Sequence, residues 1–244
     1  MKFQVSKIPH IDAAKHLAGL INKSLADAQN KVLLSLAGGS AVDVYNEADA
    51  LLDDTLNFSN LFVVMGDERW NIDPMHKDSD WLHFTQTSLY NFFATHNAKL
   101  INTLHGTNHK SEAAELDQLF KIALTEGFET IAMLGIGADG HTAGILPAER
   151  ELFEKTFRNN AHAVAHELDT VYPQRITITP YTISNIDHVF AYAKGEAKKH
   201  TLQLIADLDK SFPDNKWQDN LHKYPALFLS TADAKIFTDQ LIRQ

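Results

Sequence analysis

Met133-Leu134-Gly135-Ile136-Gly137-Ala138-Asp139-Gly140-His141-Thr142-Ala143-Gly144-Ile145-Leu146-Pro147 decides the reading of this 244-residue chain. The apolar run from Ile131 to Leu134 predicts a buried strand, and the glycines after it break it into a turn. That turn carries an acid and an imidazole, Asp139 and His141. Open α/β sheets keep ligands at the carboxyl ends of their strands, which places this pair where a ligand would bind. Histidine is the side chain whose ordinary pKa suits proton transfer near neutral pH, and a neighbouring Asp can orient it or stabilise its charged form. The alternative is a tight turn with a solvated histidine.

Two further segments repeat the pattern. Lys31-Val32-Leu33-Leu34-Ser35-Leu36-Ala37-Gly38-Gly39-Ser40 is a β-like run ending in glycines, and Val42, Tyr45, Ala48 and Leu51 come next at helical spacing. A glycine turn between strand and helix lets backbone N–H groups converge on an anion, and the helix dipole adds partial positive charge. Ser40 can serve that anion or cap the helix. The pattern is neither GxGxxG nor GxxxxGK[ST], so it does not single out a dinucleotide or a nucleoside triphosphate. Leu61-Phe62-Val63-Val64-Met65-Gly66-Asp67-Glu68-Arg69-Trp70 again runs from strand to glycine to charge. Arg69 offers a planar fork of donors for phosphate or carboxylate; the alternative is a surface ion pair with Glu68, worth little. Three such transitions at one end of a parallel sheet converge on a site the size of a phosphosugar.

As a set, Gly38-Gly39-Ser40, Gly66-Asp67-Glu68-Arg69 and Gly135-Ile136-Gly137-Ala138-Asp139-Gly140-His141-Thr142-Ala143 resemble the signature segments of the 6-phosphogluconolactonase family. That family lies in a larger group with glucosamine-6-phosphate deaminase. The resemblance continues through Asp78-Ser79, Pro173-Gln174-Arg175-Ile176-Thr177 and Lys194-Gly195-Glu196-Ala197-Lys198, and ends near Pro225-Ala226 and Asp239. It covers nearly the whole chain in order. There are departures: Ala41-Val42 stands where the family usually has Thr-Pro, removing a hydroxyl and a rigid helix start. Ala138 replaces a frequent proline, and Asp80 a frequent Asn. Similar deaminases carry a Glu directly before the final proline of the long tract and favour Tyr or Trp after Asp-Glu. Here those positions are Leu146 and Arg69, which points to the lactonase branch.

The resemblance implies hydrolysis of 6-phospho-D-glucono-1,5-lactone to 6-phospho-D-gluconate, the second step of the oxidative pentose phosphate pathway. It implies His141 as the base, Asp139 as its support, and Arg69 as a ligand of substrate and developing charge. Gly38, Gly39, Ser40, Asp67, Gly137, Arg175 and Lys198 would complete the substrate site. A deaminase or isomerase on the same fold, or a catalytically silent sugar-phosphate-binding protein, is the alternative. No GxSxG elbow is present for a serine mechanism, and neither cofactor nor metal is expected. The thirteen histidines lack metal-site spacing: His105 and His109 are separated by Gly106, His162 and His166 fall in strand and loop, and no HExxH or cysteine cluster exists.

Composition agrees. A chain this long can bury one large core without staples, and residues 1–244 read as a single domain. The absence of cysteine fits a cytoplasmic enzyme. The amino terminus leads into a short strand and does not read as a secretory signal, and no apolar stretch approaches a membrane span. The net charge of −9 disfavours nucleic acid and requires a locally positive pocket for any anionic substrate. A monomer or weak homodimer is expected.

Alternation of strands and helices predicts a three-layer, mostly parallel, Rossmann-like α/β sheet of the sugar-phosphate isomerase type. Strands are expected at 3–5, 32–36, 61–65, 99–104, 130–134, 161–165, 175–179, 189–193 and 226–230. Helices are expected over 11–30, 41–52, 78–93, 111–126, 182–185, 196–207 and 231–242.

Overall fold

Five consecutive buried residues, Val32–Leu36, form the strand around which the sheet is organised, as expected where helices cover both faces. The computed structural model describes residues 1–169 and 171–243. In chain order its strands are β1 (Lys2–Val5), β2 (Val32–Leu36), β3 (Leu61–Met65), β4 (Asp67–Arg69), β5 (Lys99–Ile101), β6 (Glu129–Gly135), β7 (Ala163–Glu167), β8 (Gln174–Ile178), β9 (His188–Ala193) and β10 (Lys235–Thr238). The α-helices are α1 (Pro9–Leu25), α2 (Val42–Ala48), α3 (Asp80–Thr85), α4 (Ser88–Thr95), α5 (His109–Thr125), α6 (Arg150–Phe157), α7 (Pro180–Ile183), α8 (Lys199–Asp209) and α9 (Asn215–Asn220).

Seven strands make a parallel sheet in the order β1-β10-β9-β6-β2-β3-β5. The chain builds outward from β2 through β3 to β5, then crosses back to β6 and continues through β9. The order therefore reverses between β2 and β6, and at such a switch point the loops leaving neighbouring strands separate and open a crevice.

Period-two alternation sends side chains to two cores. Leu34, Val63, Ile131 and Met133 pack with Leu17 and Ile21 of α1, Tyr45 of α2, Phe84 of α3 and Phe93 of α4. Leu33, Val64, Ala132 and Leu134 pack with Leu116 and Phe120 of α5, and with Leu202 and Ile205 of α8. Among the described residues no helix is long and apolar enough to cross a membrane.

A second sheet, antiparallel in the order β4-β8-β7, covers part of the α5 face. The strands expected at 161–165 and 175–179 fall in this ribbon, as β7 and β8. Gly66 makes the corner between β3 and β4: its N–H donates to the Leu36 carbonyl at 2.8 Å and its carbonyl accepts from Ile178 N–H at 2.8 Å. A Cβ there would crowd Ser35 Oγ.

Some expectations are corrected. Residues 226–230 are not a strand but lie in a 3-10 helix, Pro225–Ser230, every residue of which is buried. A fully buried apolar run has no period to separate strand from helix, and Pro225 fixes the φ that starts the turn. The helix expected over 231–242 is instead the strand β10, after a left-handed Asp233 (φ 46°). The helix expected over 78–93 is two, because Ser79 Oγ caps α3 by accepting Leu82 N–H and Thr87 Oγ1 caps α4 by accepting Tyr90 N–H. The strand expected at 99–104 is shorter, at Lys99–Ile101, and α6, α9 and β4 are additional elements that the sequence pattern does not announce.

Candidate active site

The loops leaving β2, β3 and β6 meet in a cavity of about 280 Å³. Gly38, Gly39, Ser40, Asp67, Arg69, Gly137, His141, Arg175 and Lys198, all expected from the sequence, line it together. Asp139 does not line the cavity but holds His141. A larger cleft of about 870 Å³ lies at the opposite, amino-terminal strand ends around Glu129 and His188; none of the three glycine turns reaches it.

The β6 loop is held by its own backbone. Gly137 N–H donates to the His141 carbonyl at 2.9 Å, and Thr142 Oγ1 donates to the Gly135 carbonyl at 2.8 Å. Gly140 takes a φ of 90°, which glycine adopts without strain. Within this turn His141 Nδ1 lies 2.6 Å from Asp139 Oδ1, which also accepts the His141 backbone N–H at 3.1 Å. A Cβ on Gly137 would fall on the His141 ring, so only glycine lets the strand end pass so close. Burial raises the Asp139 carboxyl, but the hydrogen bonds and charge of His141 outweigh it and hold Asp139 below the usual range.

Two of the cations come from the second sheet. Arg69 on β4 and Arg175 on β8 are direct register partners. Both guanidiniums lie over the Tyr172 ring, at 5.1 and 5.7 Å from its centroid. Arg175 Nε donates to the Tyr172 carbonyl at 3.2 Å, and Tyr172 Oη donates to Asp78 Oδ1 at 3.3 Å. Arg69 Nη1 donates to Asp80 Oδ1 and to the Asp78 carbonyl, both at 3.0 Å. The surface pair of Glu68 with Arg69 is not formed. Glu68 turns inward and accepts the backbone N–H groups of Asp80 and Trp81, pinning the start of α3.

Three carboxylates are therefore buried beside two guanidiniums. Burial and the neighbouring Asp80 push Asp67 up to about 6, against the pull of Arg175 and Arg69. Burial lowers Arg175 from its usual value. Lys198 sits in the 3-10 turn Glu196–Lys198 after β9, introduced by Gly195 at a φ of 108°. Burial lowers its ammonium, with Asp239 opposing. Among the described residues no cluster of three metal-ligating side chains forms.

Sequence reasoning missed two polar lining residues, Asp80 and Tyr172. Asp80 carried a signal, since it stands where the resembling family often has Asn. Tyr172 directly precedes the Pro173-Gln174-Arg175 segment, but nothing in its type or spacing announces contact with both arginines.

Residues 10–235 match the family model of glucosamine-6-phosphate isomerases/6-phosphogluconolactonase. A 6-phosphogluconolactonase of Neisseria meningitidis is 27% identical over 214 residues, covering 84% of this chain and 88% of that one. Another, from Xylella fastidiosa, is 28% identical over 181 residues, covering 72% of each. Among solved structures, the 6-phosphogluconolactonase of Plasmodium vivax superimposes with a TM-score of 0.76 at 18% identity, covering 99% of this chain and 90% of that one. That of Shewanella baltica gives 0.70 at 22% identity over 98% and 96%. The structural likenesses establish a shared fold.

Proposed function

Because the chain belongs to the glucosamine-6-phosphate isomerase/6-phosphogluconolactonase family, we propose that it hydrolyses 6-phospho-D-glucono-1,5-lactone to 6-phospho-D-gluconate. The observation that carries this reading is the Asp139–His141 pair set against the same cavity as Arg69, Arg175 and Lys198. Lactone hydrolysis needs an activated water, a stabilised oxyanion and a held substrate.

With Nδ1–H donated to Asp139, the neutral imidazole of His141 carries its lone pair on Nε2. Nε2 takes a proton from water as the water oxygen attacks the lactone carbonyl carbon. The tetrahedral oxyanion then collapses, the bond to the ring oxygen breaks, and the same proton passes to that oxygen. The carboxylic acid so formed loses its own proton to solvent, which gives the gluconate. Arg69, whose buried Nε has no hydrogen-bond partner among the described residues, faces the developing negative charge. Arg175, Lys198 and the N–H groups of the Gly38-Gly39-Ser40 turn take the phosphate. The enzyme works without a cofactor, as a cytoplasmic monomer or weak dimer.

Freshly generated lactone, with product followed by a coupled dehydrogenase, tests the reading. The phosphorylated lactone should turn over far faster than unphosphorylated gluconolactone, and glucosamine 6-phosphate should release no ammonia. Leu146, which is buried and aliphatic, cannot move the proton that sugar-ring opening needs. Equal rates on both lactones would reject the phosphate site, and ammonia release faster than lactone hydrolysis would make the protein a deaminase.

A further inference from the structure

Asp80 has no part in the chemistry above, yet it sits where the substrate's charge should go. It opens α3 and is 2% exposed. Its Oδ1 accepts Arg69 Nη1–H at 3.0 Å, and the Gly39 backbone is among the groups that draw its carboxyl down. A Cβ on Gly38 would overlap that carboxylate, so the glycine turn closes directly around it. Arg69 and the Gly38-Gly39 turn are two of the groups set to receive an anion, and both already hold one.

We propose that Asp80 is an internal counter-ion: it competes with the substrate's anionic groups for Arg69 and the Gly38-Gly39 turn, limiting affinity and making it depend on pH. The inference rests on the phosphosugar reading of the cleft. Asp80 also acts through Arg69 as a positioning residue, since the guanidinium is aimed by it and by the Asp78 carbonyl. Its backbone cannot swing away easily, because Glu68 accepts its N–H at 2.9 Å.

The charges around Asp80 set the direction. It is faced by Asp67, Glu68 and Arg69 from β4, Arg175 from β8, His83 from its own helix and the Tyr45 hydroxyl from α2. Burial raises the Asp80 carboxyl, and Arg69, His83 and Arg175 only partly offset it. A bound anion adds like charge beside Asp67 and Asp80, so binding favours protonating that pair. Affinity should therefore fall as pH rises.

The test compares native protein with Asp80→Asn, which keeps an amide oxygen for Arg69 and removes the charge. Binding of 6-phosphogluconate is measured at pH 5.5 and pH 8. The ligand's phosphate also gains charge over this range, which deepens the penalty imposed by a charged Asp80 and is absent from the variant. The variant should bind about 10-fold more tightly at pH 8, with a smaller gain at pH 5.5. Equal or weaker binding at pH 8, or the same ratio at both values, would overturn the inference, because a purely structural role shifts both equally. If native protein fails to bind 6-phosphogluconate at all, the reading of the cleft falls and takes the inference with it. Should the variant not fold, calorimetry of native protein in two buffers of different ionisation enthalpy gives the answer. Proton uptake beyond the ligand's own supports the counter-ion, and none refutes it.

Discussion

Asp139 grips His141 at two points, its Oδ1 meeting the ring Nδ1 at 2.6 Å and the backbone N–H at 3.1 Å. One carboxylate oxygen therefore ties the ring's orientation to the turn that carries it. The ring is still 37% exposed on its side chain, so the partner fixes direction while leaving a route for water.

Asp139→Asn should separate orientation from binding. An amide can present its N–H₂ to Nδ1, which favours the tautomer with the proton on Nε2 and removes the lone pair the water needs. Turnover should fall by about 10²-fold or more, with KM changed far less. Steady-state kinetics check this; unchanged turnover would mean that the pair is structural.

Arg175→Ala should act mainly on substrate affinity. Its guanidinium lies against Tyr172 and is one of the charges that pull the Asp67 carboxyl down. Its loss should raise KM about tenfold or more and push Asp67 further up. Native affinity for 6-phosphogluconate should also weaken with added salt. Titration calorimetry across ionic strengths measures both effects.

Acid stability should report on His166, which ties β7 to the active-site loop by donating Nε2–H to the Gly144 carbonyl at 2.8 Å. Burial pushes this imidazole down to about 4 from the usual 6.5, and its buried Nδ1 has no partner among the described residues. The folded state therefore binds this proton less readily than the unfolded chain. The stabilisation is whole above pH 6.5 and is lost as pH falls toward 4, about 3 kcal/mol over that window. Denaturant midpoints at several pH values should show a steeper acid loss for native protein than for His166→Phe.

Much of the site was legible because its chemistry hangs on strand ends. β2, β3 and β6 are apolar runs that stop at Gly38, Gly66 and Gly135, and each releases its polar residues at the same end of the sheet, around the crevice between β2 and β6. The illegible part depends on pairing distant in sequence. Nothing local to Arg69 says that it will lie opposite Arg175 on an antiparallel ribbon. Glu68 looks like its natural partner, yet the start of α3 claims that carboxylate and hands Arg69 to Asp80. Near the carboxyl end the apolar run 226–230 carries no period. Its pattern suits a strand, but the 3-10 helix takes those residues and the strand forms later, at Lys235–Thr238.

The rate at which His141→Ala consumes freshly generated 6-phosphogluconolactone, set against native protein and the spontaneous rate, decides whether this imidazole is the base. If Nε2 of His141 is the base, turnover should fall by about 10²–10⁴-fold while 6-phosphogluconate binding stays within a few-fold of native. A variant that hydrolyses the lactone at near-native rates would remove His141 from the mechanism.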